Sequence, residues 1–129
     1  MSFGFSPSDI LLCIHLIQQT WHECREAPGG FKILSDDLAS LEVVMRDAKQ
    51  HLEGRETSDE LQVSLRKLIK GCNETLNEIQ ALLKKCASLG TSNRKLGDRL
   101  RWNSEQVERL RLRILSNTSL MTALKVGMI

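Results

Sequence analysis

The chain has no tyrosine, and its only aromatics are three phenylalanines and two tryptophans among 129 residues. β-Branched residues are few, leucine dominates, and proline occurs twice, at Pro7 and Pro28. That mix disfavours sheets and favours helices. No apolar run reaches the roughly 20 residues a bilayer-spanning helix needs. The longest, residues 10–17, carries His15, and no lysine or arginine precedes it, since the first is Arg25. It is therefore not a secretion signal. No glycine follows Met1 for myristoylation, and no prenylation box closes the chain. Gly29 and Gly30 lack both a preceding strand and a following Lys-Ser/Thr, so they are not a phosphate loop.

Catalytic and metal equipment is missing too. The four cysteines, at 13, 24, 72 and 86, have no Cys-x-x-Cys spacing, and each falls within a helical pattern. They read as reduced, packed thiols. His22 and Cys24 are two residues apart on a helix and point to different faces, so they do not share a metal. No serine or cysteine has a histidine partner on the same helical face. Acidic residues such as Asp36, Asp37, Glu56, Asp59 and Glu60 cluster at helix starts, where the helix dipole accounts for them. The sequence thus assigns no catalytic residue, cofactor site or metal site, and a non-enzyme is expected. The two sequons, at Asn73 and Asn117, fall on expected helices and read as chance.

What is present is helical periodicity. A first helix should begin near Ser6, with Pro7 at its first position and Asp9 in its first turn. Ile10, Ile14, Ile17, Trp21 and Cys24 step by four and three, a coiled-coil-like seam. Leu11, Leu12, Cys13 and Leu16 widen it, making the first two turns apolar nearly all round. Pro28, Gly29 and Gly30 end it. A second helix, from about residue 30 to 52, repeats the alternation at Phe31, Leu34, Leu38, Leu41, Met45, Ala48 and Leu52. A polar turn over residues 53–56 leads to a third helix, opened by a capping box of Thr57 and Glu60. Leu61, Leu65, Leu68, Cys72, Leu76, Ile79, Leu83 and Cys86 carry that helix to a C-cap at Gly90. Gly71 marks a place for a kink. Residues 91–102 read as a short basic connector helix, after which Asn103 or Ser104 caps a fourth. Its ladder is Val107, Leu110, Ile114, Asn117, Met121, Leu124 and Met128. The expectation is all-α: an up-and-down four-helix bundle with a short additional connector helix, a single domain over residues 1–129. Because the pattern stops in mid-ladder, it is expected to be a domain of a longer protein, and the resemblance given below implies the N-terminal one.

Two features suggest contact with something else. The first is charge. Residues 1–90 hold 10 Lys+Arg against 13 Asp+Glu (net −3), and residues 91–129 hold 8 against 3 (net +5). Arg94, Lys95, Arg99, Arg101, Arg109, Arg111 and Arg113 concentrate this positive charge. It reads as a solvated face, as attraction to anionic lipid or a protein partner, or, less well for want of stacking aromatics beyond Trp102, as a nucleic-acid contact. The second is the N-terminus, where Phe3 and Phe5 precede an apolar helix start. The candidate contact residues are Phe3, Phe5, Ile10, Leu11, Arg94, Lys95, Arg99, Arg101 and Trp102. The partners expected are proteins or further copies of the chain, with anionic membrane lipids as a second class; nucleic acid and small-molecule substrates are not expected.

Several segments carry a resemblance. They are the opening Met-Ser-Phe-Gly-Phe-Ser, the run Phe31-Lys-Ile-Leu-Ser-Asp-Asp-Leu-Ala-Ser-Leu-Glu-Val-Val-Met-Arg-Asp47, the stretches at residues 88–90 and 98–102, and residues 114–120. Together they resemble the helical N-terminal domain of large fungal proteins with NACHT-type or ankyrin-repeat regions downstream. The domain looks like the fungal HeLo-like class, which is similar to plant resistance-protein coiled-coil domains and to the four-helix executioner domain of the mixed-lineage kinase-like pseudokinase. The resemblance implies a cytoplasmic signalling or cell-death effector of innate-immunity-like receptors. Such a domain would work by oligomerisation, some members perturbing membranes through the first helix. Pro7 and Ser8 stand where a Val-Gly pair is more usual, and Gly97 where an aromatic is common.

Overall fold

Four helices make up the structure, a computed structural model that describes residues 7–27, 30–88 and 93–127. They are α1 (Pro7–Glu26), α2 (Phe31–Leu52), α3 (Asp59–Ser88) and α4 (Asn93–Gly127), and no strand occurs among the described residues. The all-α reading holds. Pro7 takes the first helical position of α1, where its missing N–H costs nothing.

Two expected starts move. The hydroxyl of Ser58 accepts the Leu61 N–H at 3.2 Å, and its carbonyl accepts the Gln62 N–H at 3.0 Å. Ser58 is therefore the N-cap of α3, and Thr57 lies one residue outside, where its hydroxyl takes the Gln62 side-chain amide at 3.0 Å. The connector is no separate element. Residues 93–103 are the first three turns of α4, continuous with the rest, so no cap forms at Asn103 or Ser104. Nothing there breaks a helix: Gly97 is isolated and no proline intervenes. Helical structure also runs through Gly71, where a Cβ would stand 3.9 Å from Asn117 Oδ1. The expected C-cap at Gly90 lies outside the described residues.

The seams read from sequence converge in one core. Ile10, Ile14 and Ile17 of α1, Phe31 and Leu38 of α2, Leu65 and Leu76 of α3, and Leu110 and Ile114 of α4 are all at most 2% exposed. Polar contacts fix how the helices align. Gln18 donates to Glu42 across α1 and α2 at 2.7 Å. Gln80 donates to the Thr20 hydroxyl across α3 and α1 at 3.0 Å. Arg111 meets Asp37 at 2.9 Å and Lys125 meets Asp47 at 3.2 Å, both across α4 and α2. Since 37 pairs with 111 and 47 with 125, α2 and α4 run parallel. Glu78 with Arg113, and Gly71 near Asn117, make α3 and α4 antiparallel.

Successive helices alternate in direction, as an up-and-down bundle requires. Their placement differs from simple rotation around a ring. Among the described residues α1 packs on α2 and α3, and α4 packs on α2 and α3, while α2 and α3 occupy a diagonal. The link over residues 53–58 therefore crosses one end of the bundle. Gly54 supplies the turn there, with φ of 72°, a left-handed backbone that glycine adopts without a steric penalty.

Candidate interaction surface

Among the described residues no three His, Cys, Asp or Glu side chains come together to hold a metal. His22 is two-thirds exposed and Cys24 is fully buried, so their side chains point to different environments. No helix of the described residues is long and apolar enough to cross a membrane. What the fold offers is surface.

The N-terminal candidates divide. Phe3 and Phe5 lie outside the described residues. Ile10 is fully buried in the core, whereas Leu11 and Leu12 are 40% and 67% exposed. With α1 docked, contact through its first turns therefore falls to Leu11 and Leu12. Ile10 would be available only if α1 left the bundle.

The basic candidates divide as well. The side chains of Arg94, Lys95, Arg99, Arg101 and Trp102 lie outside the described residues; their backbone forms the opening turns of α4. Further along, the arginines are committed to neighbours. Arg111 holds Asp37, whose side chain is only 10% exposed. Arg113 and Arg109 both reach Glu78 on α3, Arg109 at 3.8 Å. These three contacts join α4 to α2 and α3 rather than pairing charges within α4.

The two halves do not form one site. α1 begins at the end of the bundle where α4 finishes, and α4 begins at the other. The start of α1 lies about one turn beyond the level of Asn117, so Arg99 stands roughly 30–35 Å from it along the axis at 1.5 Å per residue.

A surface that the sequence reading passed over lies along α2 and α4. On α4, Leu112, Leu115 and Val126 are 60%, 40% and 63% exposed; on α2, Ile33 and Val43 are 47% and 59% exposed. Leu112, Leu115, Ser119, Thr122 and Val126 step by three and four, a second ladder offset from the buried one. Val43 is one turn before Asp47, and Leu115 one turn after Arg111, so both sit on the flank where α2 and α4 meet. The result is an apolar ribbon laced by two interhelical ion pairs. The signal was available in sequence as this second ladder, interrupted by Ser119 and Thr122. On the opposite flank of α4, a cavity of about 440 Å³ opens against α3, lined by Leu68, Leu120, Ala123 and Leu124 with Ser64, Lys67 and Asn117.

Comparison with known proteins identifies a family. Residues 10–121 match the family SesA, described as an N-terminal domain on NACHT_NTPase and P-loop NTPases. No curated protein and no solved structure matches the chain. The match spans the four helices from Ile10 on α1 to Met121 on α4, and it agrees with the resemblance to helical N-terminal domains of NACHT-bearing proteins while naming SesA rather than the HeLo-like class. The chain belongs to the SesA family of N-terminal domains found on NACHT and P-loop NTPases.

Proposed function

We propose that this domain is a non-enzymatic signalling module that transmits the state of an attached NTPase by associating with further copies of itself. The observation that supports this reading is the ribbon of Ile33, Val43, Leu112, Leu115 and Val126. Exposed apolar side chains gathered on one flank of a folded domain are a place for a partner. Removing it from water contributes about 25 cal/mol per Å². One helix pair offers a modest area, which suits weak association made firm when copies are brought together by a neighbouring domain. The downstream outcome in this reading is programmed cell death of an innate-immunity type, with the domain acting from the cytoplasm.

Sedimentation velocity over rising concentration tests this. Wild type should show concentration-dependent association, and the double change Leu112→Glu with Leu115→Glu should abolish it while leaving helicity intact. A wild-type chain that stays monomeric, both alone and when fused to a defined oligomeric scaffold, sinks the proposal.

A second reading, membrane perturbation, has Leu11 and Leu12 behind it, exposed at the start of α1. It joins apolar insertion of Phe3, Phe5 and this helix start to attraction between Arg94–Arg101 and anionic lipid. Charge attraction adds about 1 kcal/mol per basic residue near the surface and weakens with salt. Flotation with anionic liposomes at low salt decides it: no association for wild type would end it.

A further inference from the structure

Three of the four cysteines are buried, and two of those meet. Cys13 on α1 is 1% exposed and Cys72 on α3 is fully buried. Their thiols hydrogen-bond to one another. The helix register brings them together independently of that bond. The contact of Gln80 with Thr20 aligns α3 against α1, the helices run parallel, and two turns back from each partner stand Cys72 and Cys13. The chain between them, roughly sixty residues, contains all of α2.

We propose that Cys13 and Cys72 are an oxidisable pair that closes into a disulfide and staples α1 to α3. The oxidant is a peroxide. One cysteine, as thiolate, attacks a peroxide oxygen; the O–O bond breaks, one water's worth of oxygen leaves, and a sulfenic acid remains. The second thiolate attacks that sulfur, the S–O bond breaks, the S–S bond forms, and the oxygen departs as a second water. Two thiols and one hydrogen peroxide thus give one disulfide and two waters.

The closed bundle restrains this reaction. The hydrogen bond that the Cys13 S–H donates to Cys72, then burial, hold Cys13 protonated far above the usual thiol range, and the thiolate is the reactive form. Reaction therefore proceeds when α1 lifts from α3 and the sulfurs meet water. Once formed, the bond keeps α1 from leaving. Reduced protein retains a separable first helix and oxidised protein does not. The proposal does not depend on self-association.

The test uses the whole chain and a Cys24→Ala, Cys86→Ala variant that keeps only the proposed pair. Each is treated with hydrogen peroxide, capped with N-ethylmaleimide and mapped without reduction. The expected result is a peptide joining Cys13 to Cys72, lighter by two hydrogens and released by dithiothreitol. The melting temperature should rise on the order of ten degrees over the reduced form, with no rise in Cys72→Ala. Recovery of both residues as capped thiols or as separate sulfinic acids, or a link confined to Cys24 and Cys86, overturns the proposal. So does a Cys13–Cys72 bond that leaves stability unchanged or lowered. If the double variant does not fold, the wild-type map decides alone.

Discussion

Removing Arg111 should harm the domain more than removing the carboxylate it holds. The pair is close, 2.9 Å between Arg111 Nε and Asp37 Oδ2, and its members are unequally placed: Arg111 is 40% exposed and Asp37 only 10%. At that separation the direct attraction is about 6 kcal/mol with an effective dielectric of 20. Most of this is offset by desolvation and by the exposure of the guanidinium, leaving a coupling of about 2–3 kcal/mol. The asymmetry follows from what each truncation leaves behind. Asp37→Ala frees an arginine that turns into water and costs about 1 kcal/mol. Arg111→Ala strands a nearly buried carboxylate and costs about 2–3 kcal/mol, below the range for complete burial because some water still reaches it. Urea denaturation of the wild type, both single variants and the double variant, followed by far-ultraviolet circular dichroism, measures all the terms. The double variant should resemble Asp37→Ala. Equal costs for the two single changes, a larger cost for Asp37→Ala, or additivity within about 0.5 kcal/mol would refute the reasoning.

Two further outcomes are expected. Gly71→Ala should stabilise the domain by about 0.5–1 kcal/mol, because the added methyl would sit 3.9 Å from Asn117 Oδ1, an ordinary contact, and glycine is costly within a helix; a lowered melting temperature would show that α4 packs more tightly there. The Cys24 thiol is pushed up to about 12 from its ordinary 9.0, first by burial and then by the neighbouring Glu23 charge. The folded chain thus holds this proton longer than the unfolded one, so the contribution is complete below pH 9.0 and is lost as pH rises toward 12. Wild-type stability should accordingly fall more steeply over that window than that of Cys24→Ala, by up to about 1.4 kcal/mol per pH unit, and parallel curves in chemical denaturation would contradict this.

Helices were legible because each carries its burial in its own spacing. Leu38, Leu41, Leu65, Leu68, Leu110 and Ile114 were expected inside, and all six are. Boundaries were less so. Thr57 with Glu60 satisfied a capping pattern, yet Ser58 caps, since neighbouring hydroxyls compete on backbone geometry that spacing does not contain. The continuity of α4 was hidden by a polar stretch with no apolar ladder to follow. Pairing between helices was not legible at all. Spacing alone places Glu105 one turn before Arg109 and Glu108 three residues before Arg111, whereas the arginines at 109 and 111 face Glu78 and Asp37 on other helices. The candidate surface suffered from the same limit. Ile10 and Leu11 are adjacent in sequence, but one lies in the core and the other in solvent, and only the neighbours of α1 decide which.

The diagonal placement of α2 and α3 also sets an order of events in time. The hairpins α1–α2 and α3–α4 close over short stretches of chain, whereas Thr20–Gln80, Asp37–Arg111 and Asp47–Lys125 join residues 60, 74 and 78 apart. Loop-closure entropy makes such distant contacts the later ones to form. Side chains on the parallel seams should therefore govern how fast the domain comes apart, and those within each hairpin how fast it assembles. The seam between α1 and α3 then acts as a clock on the lifetime of the folded state.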